Sequence, residues 1–223
     1  MVDGAALRLK KLLIVLGIIV ALGIAVDIAA REALEAGAEA SVEDRRGLRG
    51  EVRVEIDGFP FLLALARKEI PSASVTSSRV VQDGVRLRDV RIEMENVAMG
   101  ESHGDRRTFH VSSGRGTASV TDNEIARLAT EAGVSVEIRI EGDTVSVRAA
   151  GCAEADPAPQ CQFVTSEGIS IEADALVVAV PPPLEPVRIA LPQVLDGVRF
   201  DSVTTRPGRA MLSFTLADID LSL

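Results

Sequence analysis

The chain has 223 residues, 47% of them hydrophobic, and a net charge of −9. That length and apolar content suffice for the core of one domain, and the acidity excludes sequence-independent nucleic-acid binding, which needs a basic face. Residues 1–26 carry Asp3 against Arg8, Lys10 and Lys11, so the remainder stands at −11, which also disfavours broad electrostatic docking on anionic lipid.

Arg8, Lys10 and Lys11 precede fifteen uncharged residues, Leu12 to Val26. The basic flank places itself in the cytoplasm and sends the rest of the chain outward. Fifteen residues is short for a span, which needs ~20, and suits a signal-peptide core, with Gly23-Ile24-Ala25 as a small-residue cleavage site. An Ala-rich helix expected over residues 27–44 extends the apolar surface, with only Asp27 interrupting it, and favours an uncleaved signal anchor. The expected division is therefore 1–26, basic flank with anchor or signal peptide, and 27–223, an extracytoplasmic domain. The localisation that follows is the cell membrane, single-pass, or a periplasm-like space if the chain is cleaved near Ala25.

A basic connection, residues 45–50, leads into Glu51 to Asp57, whose apolar and charged residues alternate as in a half-buried strand. Gly58-Phe59-Pro60-Phe61 then makes a sharp corner into a short helix over residues 60–70, ended by Pro71. Two of the six Phe fall in this corner, either as core anchors or at the mouth of an apolar cavity.

Residues 72–83 read as a strand, and Asp83-Gly84 as a hairpin turn into a long strand, Val85 to Met99. The apolar positions of that strand change parity at Asp89, which predicts a bulge or bend. Residues 100–107 read as a polar loop, and Thr108 to Val120 as a strand kinked at Gly114 and Gly116. Thr121 and Glu124 form a capping box for a helix with the apolar stripe Ile125, Leu128 and Ala129, closed by Gly133.

Strands follow at residues 134–140 and 144–150. Cys152 and Cys161 bracket a Pro-rich loop, and in an oxidising compartment a disulfide is their expected state, worth ~2–3 kcal/mol in the chain-entropy model. Parity changes again between Ile169/Ile171 and Val178/Val180. Pro181 to Pro183 break the sheet, Pro186 to Pro192 resume extended, and Leu191 to Leu195 form a turn of helix. The last strand, from Ala210, changes parity at Ala217–Asp218. The expected fold is α+β: a long, strongly curved antiparallel sheet wrapping around helices, preceded by an N-terminal membrane helix. A curved sheet that its helices do not fill leaves an elongated apolar cavity.

Signs of chemistry are lacking. His103 and His110 share no helical face and match no metal-ligand spacing. There is no G-x-S-x-G and no Gly-rich phosphate loop, and the carboxylates, Asp218 and Asp220 included, alternate as on a solvated sheet face. The expectation is a non-enzyme with no cofactor and no metal.

The run VEIDGFPFLLAL, followed by SRVVQDGVRLRDVRIEMENV, resembles the actinobacterial LmeA-like phospholipid-binding family. The resemblance covers nearly the whole chain and is most specific over residues 52–97. It implies a TULIP-like lipid-binding fold, a phospholipid ligand of the phosphatidylinositol type, and a role in cell-envelope lipid or lipoglycan assembly beside envelope glycosyltransferase machinery. Position makes Phe59, Phe61, Leu62 and Leu65 candidates for contact with acyl chains, and Arg67 and Lys68 candidates for the headgroup. The competing expectation is an envelope scaffold whose sheet is filled by its own side chains and carries no lipid.

Overall fold

The structure, a computed structural model, describes residues 21–37, 52–58, 60–82, 84–103, 106–152, 158, 161–166, 168–180, 186–191 and 197–222. Residues 21–37 are helical (α1). Fourteen further elements follow: β1 (Val52–Asp57), α2 (Phe61–Arg67), β2 (Glu69–Gln82), β3 (Val85–His103), β4 (Arg106–Thr121), α3 (Asp122–Glu131), β5 (Val136–Glu141), β6 (Thr144–Ala149), β7 (Val164–Thr165), β8 (Gly168–Glu172), β9 (Ala175–Ala179), β10 (Val187–Ala190), β11 (Val198–Arg206) and β12 (Arg209–Ser222). Among the described residues no helix is long and apolar enough to cross a membrane; residues 1–20, most of the expected anchor, lie outside that description, as do Pro181 to Pro183 and residues 192–196.

Among the described residues all strand pairing is antiparallel. A six-stranded sheet runs β1-β2-β3-β4-β12-β11, and two three-stranded sheets run β5-β6-β7 and β10-β9-β8. The expected single sheet is thus three, because the last hairpin, β11–β12, returns to pair with β4 and leaves the intervening strands to form their own layers. One apolar core joins them: Val54, Leu87, Val120 and Leu212 of the large sheet, Ile125 of α3, Val147 of β6, and Val178 and Val187 of the third sheet.

The expected bulge at Asp89 is present. Arg88 pairs with Ser119 and Arg91 with Thr117, one extra residue on β3, with Asp89 at φ 49°. A second bend crosses most of the large sheet. The registers align Asp57 with Ser72, Ser72 with Glu95, Glu95 with Ser113 and Ser113 with Ala217, so the next residues, Gly58, Pro71, Asn96, Ser112 and Asp218, form a row. Along that row the buried face changes parity: Ile70 to Ala73, Met94 to Val97, and Leu216 to Ile219. Asn96 and Asp218 take φ 53° and 50°, the left-handed region that short polar side chains tolerate best. Ser112 between them donates its hydroxyl proton to Asn96 O (3.2 Å). The flanking register stays unbroken, so this is a crease of the whole sheet rather than a bulge in one strand. The expected change at Ala217–Asp218 is its last element.

Other expectations are corrected. The helix at the Phe corner stops at Lys68, which adopts φ 58°, and Pro71 lies inside β2. Pro71 is tolerated there because its missing N–H falls on the crease, where no ladder pair forms with β3. Within the expected polar loop 100–107, residues 100–103 continue β3 and residues 106–107 begin β4, paired up to His103↔Arg106. The parity change after Ile171 is a two-residue turn, Ala173-Asp174, both at positive φ, between β8 and β9. Gly114 and Gly116 of β4 admit close neighbours. A Cβ on Gly116 would lie 2.2 Å from Phe214 Cζ, and one on Gly114 2.7 Å from Glu93 O. The Cys152–Cys161 disulfide is formed, and the ring centroid of Phe163 after it lies 4.4 and 4.5 Å from the guanidinium carbons of Arg139 and Arg148.

α3 keeps half of the expected capping box. Glu124 N–H donates to Thr121 Oγ1 (3.3 Å), but the Glu124 carboxylate turns away, accepting from Arg86 N–H (2.9 Å) and Arg127 (2.6 and 3.0 Å). Burial alone would push this carboxyl up; the Arg127 hydrogen bonds and the Arg86 N–H outweigh it and hold it below the usual carboxylate range. A depressed carboxyl stabilises the fold above its unfolded value, about 4.3, and that contribution is lost as pH falls through the folded value. Glu124→Gln is therefore expected to cost about 1–2 kcal/mol at neutral pH and progressively less under acid. Urea titrations of the two proteins from about pH 7 to pH 3 should converge; a constant gap would show that ionisation of Glu124 is not its source.

Candidate functional site

The Phe corner is built by two carboxylates of α1. Asp27, buried at 5% exposure, accepts from Phe61 N–H (Oδ2, 2.8 Å) and Leu62 N–H (Oδ1, 2.6 Å). These are orphan donors at the start of α2, whose own N-cap, Pro60, makes no side-chain cap. Two turns on, Glu35 accepts from Ile56 N–H of β1 (2.7 Å) and pairs with Arg31 (2.8 Å). Ala30 and Leu34, at helical spacing from these residues, pack on the core. The one charge interrupting the apolar run thus ties α1 to the domain.

The candidate residues of the corner separate. Phe61 is a core anchor, 1% exposed, and Phe59 lies outside the described residues. Leu62, Leu63 and Leu65 are 39, 46 and 38% exposed. Arg67 and Lys68 are exposed at the C-terminal end of α2, the end that favours cations. Lys68 O accepts from Met99 N–H (2.8 Å), which fixes the end of the helix on β3. Leu22, Ile24, Val26 and Ile28 of α1 are exposed as well, and Asp27 brings Val26 and Ile28 to the start of α2. Exposed apolar side chains thus stand on both helices, which Asp27 joins, and two cations follow at the far end of α2.

A second feature escaped sequence reasoning. A cleft of about 710 Å³ opens beside the Asp89 bulge, on the face of the sheet away from the core. Arg79, Arg88 and Arg209 line it with Asp89, Ser119 and Thr121, and the Pro207-Gly208 turn closes one side. Arg209 Nη1 pairs with Asp89 Oδ2 (2.7 Å), and the Ser119 hydroxyl lies 3.3 Å from the same oxygen and 3.1 Å from Arg88 O. Arg79 and Arg88 are directly opposed across β2 and β3, and neither guanidinium has a hydrogen-bond or ion-pair partner among the described residues. The signal was available: both are equidistant from the Asp83-Gly84 turn, so a two-residue hairpin must bring them face to face.

His110 Nδ1 lies 2.9 Å from Asp220 Oδ1 on the exposed surface. Among the described residues no group of three His, Cys, Asp or Glu could hold a metal ion.

The family model described as LmeA-like phospholipid-binding matches residues 25–215, and the chain belongs to that family. No curated protein and no solved structure matches the chain.

Proposed function

We propose that this member of the LmeA-like phospholipid-binding family is an exported, membrane-anchored carrier or sensor of phospholipid, non-catalytic, that serves cell-envelope lipid or lipoglycan assembly. Residues 1–26 are the anchor in this reading, and the domain from residue 27 is extracytoplasmic. The observation that carries it is the exposed leucine row of α2, held by Asp27 against the apolar start of α1 and ending in Arg67 and Lys68. Acyl chains lie on Leu62 and Leu65, each buried methylene contributing about 0.8 kcal/mol, while the two cations take the phosphate of a phosphatidylinositol-type headgroup. A TULIP-like wrapping of the creased sheet around bound chains is part of the same proposal.

The scaffold reading is favoured by one observation: the inner face of the sheet is occupied by its own buried side chains, from Val52 to Ile219. Native mass spectrometry separates the two. The full chain, released from nonionic detergent after incubation with phosphatidylinositol vesicles, is expected to carry a discrete phospholipid mass. Leu62→Glu/Leu65→Glu, at exposed positions, should reduce that occupancy at least tenfold. A wild-type chain that stays bare would establish the scaffold reading; unchanged occupancy in the variant would remove α2 from the site.

A further inference from the structure

We infer that the Arg79–Arg88–Arg209 cleft is a second binding site, separate from the α2 surface, for a phosphoryl-bearing anion. Direct cross-strand opposition of like charges is destabilising, yet Arg79 and Arg88 face each other on β2 and β3. Carboxylates are plentiful on this acidic chain, and they compensate other arginines: Glu93 with Arg91 and Arg115, Glu172 with Arg188, Glu137 with Arg148. Among the described residues that line the cleft, three arginines meet one carboxylate, Asp89, and that one is committed to Arg209. The lining is left with a surplus of two positive charges, the charge of a phosphomonoester with opposite sign.

Geometry favours the same class. Directly opposed strand residues hold their Cβ atoms about 4.5–5.5 Å apart, so two guanidinium forks can bracket one tetrahedral oxyanion from both sides. The walls are fixed in advance. The Asp89 bulge orients Asp89 toward Arg209, and the Pro207-Gly208 turn is tied on both sides, Gly208 N–H donating to Ile140 O (2.8 Å) and Gly208 O accepting from Asp122 N–H (3.2 Å). A volume of about 710 Å³ admits a phosphorylated group larger than the ion alone.

The site does not rest on the lipid reading above. Lys68 stands just before β2 and Arg79 near the far end of that strand, separated by at most on the order of 30–36 Å of chain at about 3.3 Å per extended residue. A headgroup held by Arg67 and Lys68 therefore leaves the cleft open to another anion. The anion is the phosphate either of a lipid held independently of α2 or of a water-soluble phosphoester.

The full chain in nonionic detergent at low ionic strength, where charge contacts are least screened, decides between these outcomes by thermal shift and calorimetry. Inorganic phosphate is expected to bind and to raise the midpoint of unfolding. In Arg79→Ala/Arg88→Ala, both positions exposed, phosphate affinity should fall at least tenfold. The variant without phosphate should unfold no earlier than the wild type, since a repulsion has been removed. Dioctanoyl phosphatidic acid in the same detergent identifies the source. If it binds and the double variant abolishes that binding, the site takes a lipid headgroup; if only inorganic phosphate responds, it takes a soluble phosphoester. No phosphate response in the wild type, or an equal response in the double variant, overturns the proposal. The Leu62→Glu/Leu65→Glu variant should retain the full phosphate response, and the Arg79→Ala/Arg88→Ala variant should retain the phospholipid occupancy that depends on Leu62 and Leu65, so failure of either reading is visible without the other.

Discussion

Gly116→Ala is expected to destabilise the protein by about 3 kcal/mol, the upper part of the range for overpacking a core. Gly116 sits in the middle of β4, where glycine ordinarily weakens a strand and alanine would be preferred. The added methyl would stand 2.2 and 2.3 Å from Phe214 Cζ and Cε2 and 2.9 Å from Arg91 O. The ring cannot simply swing aside, because Phe214 is buried and its partner Phe200 stands edge-on at 5.7 Å with an interplanar angle of 67°. Phe214→Leu alone should cost about 1–2 kcal/mol through lost volume. Combined with Gly116→Ala it should cost clearly less than the sum, because removing the ring makes room for the methyl. Equilibrium urea unfolding of the four proteins measures the coupling. Additive costs would show that the ring does not occupy the glycine's space.

Asp27→Ala should be comparably severe, about 3 kcal/mol, with its loss concentrated at one end of the molecule. Two backbone N–H groups donate to this carboxylate, and a hydrogen bond to a charged group contributes about 1.5–3 kcal/mol. Alanine leaves the Phe61 and Leu62 amides without that acceptor at a helix start that has no cap of its own. Asp27→Asn, which keeps an oxygen but loses the charge, should fall between wild type and alanine. Native-state hydrogen exchange reads the effect directly: the Phe61 and Leu62 amides should exchange at least a hundredfold faster in Asp27→Ala, while amides of β4 and β12 keep most of their protection. Unchanged protection at Phe61 and Leu62 would show that α1 is not held by this contact. Because the same contact joins the apolar surfaces of α1 and α2, Asp27→Ala should also lower phospholipid occupancy with every exposed leucine intact.

What could be read from the chain alone was whatever rests on neighbours in sequence. Alternation marked β1, β5 and β6; Asp83-Gly84 marked the β2–β3 hairpin; Thr121 marked the start of α3; the parity slips at Asp89 and at Ala217–Asp218 marked two bends. The opposition of Arg79 and Arg88 was equally local, a consequence of that hairpin. Each is a matter of side-chain period or turn chemistry within a few residues. Only the tertiary structure decided the rest. Pairing of β12 with β4 put Phe214 on Gly116, which makes that glycine a point of close approach. The same register aligned Gly58, Pro71, Asn96, Ser112 and Asp218 into one crease, although they lie up to 160 positions apart. Asp27, an interruption in an apolar run, became the cap of a helix that begins 34 residues later. Periodicity reports which face of an element is apolar and carries no record of which other element covers it. That choice comes from packing and strand register across the whole chain, and here it settled both the exposure of the α2 leucines and the walls of the arginine cleft.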